Sequence, residues 1–191
     1  MTVPLEPYVA SDSIVQATAP EIIDLAHRLR TNSRNELSFM QAAFEWVRDR
    51  IDHSYDVADP RVTIAATEVL TEGVGLCYAK SHLLAALLRS EGIPTGLCYQ
   101  RLATERGHVL HGLIAVHRDG HWRRLDPRGN NDRVSTSFDL KDEALAYRPN
   151  PTQGEIDYPQ IYAQPAPEVV KALAAGSNAL MMDLPSALNA L

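Results

Sequence analysis

The feature that most constrains the fold is one change in hydrophobic spacing, which occurs at Gly92-Ile-Pro94. Before it, apolar residues recur at helical spacing in two segments and then in a long run rich in Ala and Leu. After it come short segments of β-type composition, with a hairpin signal at Asp119-Gly120. Helices that come first and strands that come later are typical of an α+β fold rather than of alternating α/β units.

These patterns place the individual elements. Helices are predicted at residues 20–30, 36–51, 65–70, 76–89, 139–147 and 167–175, with a weaker helical pattern at 180–191. Strands of an antiparallel sheet are predicted at residues 95–102, 109–117, 121–125 and 134–138. The helix at 76–89 has apolar residues at 83, 84, 87 and 88, which indicates that it is buried.

Composition excludes several classes of protein. A chain of 191 residues falls within the range of about 100–200 residues that one domain usually contains. A net charge of -6, with scattered positive charges, argues against a nucleic-acid partner. The N-terminal sequence has no signal-peptide pattern, and no segment approaches the roughly 18 consecutive apolar residues of a membrane span. We therefore expect a cytoplasmic protein with no membrane partner.

The two cysteines do not form a disulfide framework, so each would be a free thiol in a reducing compartment. Cys77 follows Gly73-Val-Gly75 and lies at the predicted start of the buried helix. The positive end of a helix dipole favours a thiolate there, and the outward N–H groups can stabilise an oxyanion. Cys77 is therefore a candidate nucleophile, whereas Cys98, on a predicted strand, is better interpreted as a core thiol.

A thiolate nucleophile needs a base and a group that orients the base. His111 lies 34 residues after Cys77 on one predicted strand, and Asp126 ends the next strand, 15 residues further on. Neighbouring strands bring such side chains within cross-strand reach. The carboxylate can accept a hydrogen bond from one imidazole nitrogen and leave the other nitrogen for the sulfur.

Three sequence blocks resemble the transglutaminase-like (transglutaminase core) superfamily, over about residues 40–130. They are Gly75-Leu-Cys77 with the apolar helix through Arg89-Ser-Glu-Gly92-Ile-Pro94, then His111 with the hairpin ending in Gly120-His-Trp122, and finally Asp126-Pro127. The resemblance implies a papain-like α+β fold with the cysteine helix packed on an antiparallel sheet. It also implies that Cys77 is the nucleophile, His111 the general base and acid, and Asp126 the orienting carboxylate.

The resemblance, together with the Pro-rich and polar composition of both ends, predicts three regions: an extended lead-in at 1–19, a transglutaminase-like catalytic domain at 20–147, and a C-terminal extension at 148–191 packed on that domain. The expected activity is acyl transfer on a carboxamide or peptide bond through a thioester. Hydrolysis by water is favoured over transfer to an amine, although the same three residues serve both. Tyr55 is a candidate second oxyanion donor, or else a packing aromatic residue.

Other interpretations of these residues remain open. Cys77 would be a small buried hydrophobe if it were not catalytic, and the chain would then be a binding or scaffold protein on the same fold. Cys77, Cys98, His108 and His111 could in principle bind zinc, but the chain lacks the close ligand pairs of structural zinc sites. We therefore expect no metal and no cofactor. The sequence does not indicate an oligomeric state.

Overall fold

The computed structural model describes residues 4–189. Its helices are α1 (Pro20–Thr31), α2 (Glu36–Arg50), α3 (Ala66–Glu72), α4 (Cys77–Ser90) and α5 (Pro167–Ala175). Its strands are β1 (Asp52–His53), β2 (Val74–Gly75), β3 (Thr95–Thr104), β4 (Gly107–Arg118), β5 (His121–Leu125) and β6 (Ile156–Asp157). Two short 3-10 turns occur at Glu6–Tyr8 and Pro151–Gln153. Helices α1–α4 precede the main sheet and α5 follows it, so the predicted α+β fold is confirmed.

The main sheet is antiparallel, with the strand order β5-β4-β3-β6. Asp119 and Gly120, both at positive φ, form the predicted hairpin turn between β4 and β5. Strand β3 pairs with β4 along its whole length, whereas β5 pairs only with Ile114–Arg118. On the β5 side, residues 107–113 of β4 therefore have no strand partner among the described residues. We call this stretch the open edge of β4.

Helix α4 is the centre of the core. All its residues from Cys77 to Arg89 are buried, and it contacts α1, α2 and α3 as well as β3 and β4. The four leucines that the sequence pattern identified are fully buried. The Arg89 guanidinium donates to the carbonyls of Thr95, Ala10 and Ala163, so one buried cation joins both ends of the chain to the core.

A second, two-stranded sheet positions the start of α4. Strand β1 follows α2 directly and pairs in parallel with β2, which leads into Cys77. A capping box of Asn35 and Ser38 sets the beginning of α2. The residues just after β1 are consequently held beside the residues just before α4.

Three predicted elements are wrong. Residues 134–138 form no strand, because the Asn130 side chain accepts from Thr136 N–H and shapes a turn. Residues 139–147 form no helix, because Asp139 accepts from the N–H groups of Lys141 and Asp142 and Glu143 has positive φ. The described part of 180–191, up to residue 189, makes a turn and then runs irregularly past Pro185.

The C-terminal region packs on the same core. Val169 and Leu173 of α5 are buried, and the Ala166 N–H donates to the buried Tyr99 hydroxyl. The division at residues 19 and 147 stays a prediction. Within residues 4–189, no helix combines the length and apolar character needed to cross a membrane.

Candidate active site

Helix α4 begins without a capping side chain. Its N-cap is Leu76, which has no side-chain acceptor, and the first intrahelical bond runs from Lys80 N–H to the Leu76 carbonyl. Gly75 lets the preceding strand approach closely, since a Cβ there would lie 2.9 Å from both Ala79 Cβ and Thr63 Oγ1. The first N–H groups of α4, including that of Cys77, are therefore available beside the sulfur.

The Cys77 sulfur lies at the open edge of β4. The thiol is free and the residue is 8% exposed. Its Sγ accepts a hydrogen bond from Gly112 N–H at 3.4 Å. Because β5 stops at the Ile114↔Leu125 pair, this N–H is left for the sulfur rather than for a strand. A backbone donor at this position stabilises negative charge on Sγ.

Gly112 also allows α4 to come this close. A Cβ at position 112 would lie 2.7 Å from Tyr78 Cδ1 and 3.2 Å from Tyr78 Cα, so any larger residue would push the helix start off the strand. The Tyr78 hydroxyl donates to the Leu110 carbonyl on the same edge. Residues 110–112 thus seat the first turn of α4.

His111 and Asp126 form a buried pair. His111 Nε2 lies 2.8 Å from Asp126 Oδ2, and Asp126 is fully buried. A carboxylate only accepts, so the proton belongs on Nε2, which leaves Nδ1 for the sulfur. Asp126 also accepts from the backbone N–H groups of Arg128 at 3.1 Å and Ala146 at 3.1 Å. Three donors therefore fix this carboxylate.

The two members of the pair shift each other's ionisation. Burial lowers the pKa of His111, but the charges of Asp126 and Cys77 outweigh burial and raise that pKa well above its usual value. For Asp126, burial raises the pKa, but His111 and the two backbone donors together bring it below its ordinary value. Each shift favours the charged form, so the pair is an imidazolium hydrogen-bonded to a carboxylate.

Hydrogen bonds join the segment after Asp126 to the turn that follows β1. The Arg128 guanidinium is bidentate on Asp56, with contacts of 2.6 and 2.9 Å, and Asn131 Nδ2 donates to the same carboxylate at 2.9 Å. Tyr147 lies edge-on to the His111 ring, with centroids 4.9 Å apart. Both contacts restrict movement of the His111–Asp126 pair.

Tyr55 follows β1 and is 47% exposed. The pKa of Tyr55 is raised, mainly by burial of its hydroxyl and to a smaller extent by the charge of Cys77. The neighbouring His53 ring lies 5.9 Å from the Tyr55 ring, and burial lowers the pKa of His53 to about 3.

Lys80, one turn after Cys77, is fully buried. Its Nζ donates to the carbonyls of Arg48, at 3.2 Å, and Ile51 at the end of α2. Burial lowers its pKa to about 8. Lys80 therefore joins α4 to α2 and adds positive charge near the site.

The structure brings Cys77, His111 and Asp126 together and leaves Cys98 elsewhere, in a small apolar cluster with Leu113 and Ala115. His108 instead contacts the Gln153 carbonyl through Nε2. Among residues 4–189, no group of three or more His, Cys, Asp or Glu side chains is arranged to bind a metal.

Three features of the site were not predicted from the sequence: Gly112, Tyr147 and the Arg128–Asp56 pair. A glycine inside a predicted strand is a signal of close backbone approach, and Gly112 follows the candidate His111 directly. The other contacts join residues far apart in the chain and left no local pattern.

Comparisons with known proteins agree with this fold. The sequence profile of the Transglutaminase-like superfamily matches residues 23–127, which is more than half of the chain. No curated protein matches the chain.

Among solved structures, a putative cysteine protease from Cytophaga hutchinsonii has a TM-score of 0.55 and 20% sequence identity, covering 66% of this chain and 45% of that one. A structure described as a TGase has a TM-score of 0.46 and 18% identity, covering 64% and 35%. The periplasmic domain of TgpA from Pseudomonas aeruginosa has a TM-score of 0.43 and 19% identity, covering 56% and 42%.

The chain thus spans less than half the length of these solved structures. Together with the order of helices and strands, the profile match leads to one conclusion: the chain belongs to the transglutaminase-like superfamily.

Proposed function

We propose that the chain is a cysteine-dependent acyl-transfer enzyme that acts on a peptide or carboxamide bond, with Cys77 as the nucleophile. The observation that carries the proposal is a geometric one: Gly112 N–H donates to the Cys77 sulfur, and the adjacent His111 is hydrogen-bonded to the buried Asp126. The charges of Asp126 and Cys77 also raise the pKa of His111. A histidine that only filled the core would show the opposite shift.

In the first half-reaction the Cys77 thiolate attacks the carbonyl carbon. The carbonyl oxygen becomes an oxyanion, for which the Cys77 N–H at the start of α4 is one donor and the Tyr55 hydroxyl the second. His111 gives its Nδ1 proton to the departing nitrogen, the C–N bond breaks, and a thioester with Cys77 remains. Asp126 keeps the Nε2 proton in place, so the imidazole returns to the tautomer that accepts from water.

In the second half-reaction water attacks the thioester. His111 takes the water proton, the acid forms, and the Cys77 thiolate leaves. We favour water over an amine as the acceptor, and the protein of similar fold from Cytophaga hutchinsonii, described as a putative cysteine protease, supports that choice. The proposed partner is a peptide or amide substrate.

The proposal is tested by alkylation of Cys77 with iodoacetamide at different pH values, followed by peptide mapping. We expect the sulfur to react well below about pH 8, where an ordinary thiol is mostly protonated. His111→Ala should remove this low-pH reactivity. His117→Ala is the matched control, because His117 lies on the same strand and contacts Trp122 instead of Cys77.

Cys98 is an internal reference in the same chain. If Cys77 reacts like an ordinary thiol and His111→Ala changes nothing, the chain is a binding or scaffold protein and the proposal fails. Whether water or an amine accepts the acyl group is then tested with a panel of peptides and glutamine amides. Ammonia or peptide release without incorporation of a fluorescent primary amine is expected, whereas preferential incorporation of that amine would indicate a transglutaminase.

A further inference from the structure

The open edge of β4 beside Cys77 is partly covered by the end of the chain. In antiparallel pairing, alternate residues direct their N–H groups to the same side, and Leu110 and Gly112 both direct theirs to the open edge. The Gly112 N–H donates to Cys77 Sγ, and the Leu110 N–H donates to the Pro185 carbonyl at 2.7 Å. Two residues of a strand span about 6.6 Å, so the donor that holds Pro185 and the donor that holds the sulfur are one such step apart.

Residues 182–189, which we call the C-terminal strap, are fixed on both sides of Pro185. Met182, Leu184 and Leu188 pack against the core cluster that contains Cys77. At the far end, Leu188 N–H donates to the Tyr158 hydroxyl at 3.4 Å, and Asn189 N–H donates to Glu168 at 2.9 Å. The strap is thus an ordered segment, attached by apolar side chains and backbone donors.

The hydrogen-bonding groups of Leu110 match a proline. The Leu110 carbonyl already accepts a hydrogen bond from the Tyr78 hydroxyl. At this position the edge therefore offers a partner only the Leu110 N–H. Proline supplies a carbonyl and has no N–H that would need an acceptor. Leu184-Pro185 therefore combines an apolar side chain for the core cluster with a carbonyl for Leu110.

We propose that the open edge of β4 is the binding site for the backbone of an extended, apolar, proline-containing peptide substrate, and that the C-terminal strap occupies it as an intramolecular competitor. The inference rests on the proposed function and names its substrate class. A cavity of about 630 Å³ between α3 and α5 is lined by none of the three active-site residues, so we do not assign the substrate to it.

The test uses the full chain with Leu184→Asp, which places a carboxylate where the strap packs on the core. Replacing the apolar contact of one partly buried leucine by a carboxylate shifts the bound-to-free equilibrium of the strap by about tenfold. Cys77 alkylation should therefore accelerate by a similar factor. A synthetic peptide of residues 180–189 should slow the variant again, and the same peptide with Leu184→Asp should not. Met181→Asp is the matched control, since Met181 is 82% exposed in the same segment.

Leu184→Ala, which only shortens the side chain, replaces the aspartate variant if that protein does not fold. A folded variant whose Cys77 reacts at the wild-type rate, or that the peptide does not slow, overturns the inference. The two proposals fail differently. If low-pH reactivity is present but equal in wild type and variant, only the strap proposal fails. If low-pH reactivity is missing from both, the proposed enzyme fails, whatever the strap does.

Discussion

The two cysteines of this chain share their burial but differ in what surrounds them. Cys98 lies on β3 among Leu113, Ala115 and partly buried apolar residues, and burial raises its pKa to about 12. Cys77 is also buried, but its sulfur accepts from Gly112 N–H and interacts with His111. Burial alone keeps a thiol protonated and inert, whereas a buried thiol with a donor and a cation beside it can become a nucleophile.

The largest expected effect is a difference in kcat between variants of the two cysteines. With the best amide or peptide from the substrate panel, Cys77→Ala should lower kcat by about 10⁴- to 10⁶-fold, because the nucleophile is removed. Cys98→Ala should keep kcat near wild type and reduce the free energy of unfolding by about 1 kcal/mol, since it only trims the core. Steady-state kinetics and urea unfolding measure the two quantities.

Comparable losses of kcat in both variants would contradict this contrast. So would a Cys77→Ala protein that retains wild-type kcat. Equal urea midpoints for Cys77→Ala and wild type would show that its lost turnover is chemical rather than a failure to fold.

A smaller loss of kcat is expected when Asp126, which orients His111 beside Cys77, is replaced. Asp126→Asn should lower kcat by about 10³- to 10⁴-fold, because an amide can donate to Nε2 and hold the proton of His111 on Nδ1. That tautomer cannot take a proton from the sulfur or from water. Asp157→Asn is the matched control, and it should change kcat by less than about threefold, since this carboxylate pairs with Arg124 near the surface.

The pH dependence of alkylation distinguishes the tautomer effect from a structural one. Asp126→Asn should lose the low-pH reactivity of Cys77 and keep the fold, as judged by circular dichroism. If Asp157→Asn impairs kcat as strongly as Asp126→Asn, the buried position of Asp126 has no special role in orienting His111.

The positions of the three candidate site residues could be predicted from the sequence better than the conformation of the loops around them. Cys77, His111 and Asp126 each lie at the end of an element or on a strand whose local pattern is strong, so their approach followed from the order of the elements. Residues 139–147 were predicted as a helix because their composition allows one. In the structure this segment is irregular, and Ala146 directs its N–H to Asp126 instead of to a helical carbonyl.

That tertiary contact has no local signature, and the same holds for the Arg128–Asp56 pair, whose residues are 72 positions apart. Tertiary contacts between groups far apart in the chain override local propensity. Gly112 is different: the prediction left it out, although a glycine within a strand, next to a candidate catalytic residue, is a local signal of close backbone approach.

The smallest expected effect concerns the pH dependence of stability and compares two buried histidines, His82 and His111. His82 lies on α4 as Cys77 does, and its Nδ1 donates to the Ile64 carbonyl at 2.8 Å. Burial, only partly offset by that bond, lowers the pKa of His82 to about 4, whereas the charges around His111 raise its pKa. Between about pH 6.5 and 4 the unfolded chain binds a proton at His82 that the folded chain does not, so stability falls as pH falls.

His82→Gln, which keeps a donor for the Ile64 carbonyl, should reduce this acid-side slope by up to about 1.4 kcal/mol per pH unit. His111 acts in the opposite direction: its raised pKa adds stability that is complete below about pH 6.5 and is lost as pH rises through the folded value. His82→Gln should therefore flatten the acid limb of a urea-unfolding series and leave the alkaline limb as in wild type. An unchanged acid limb would show that His82 is already protonated in the fold, and burial would then not be what sets the two histidines apart.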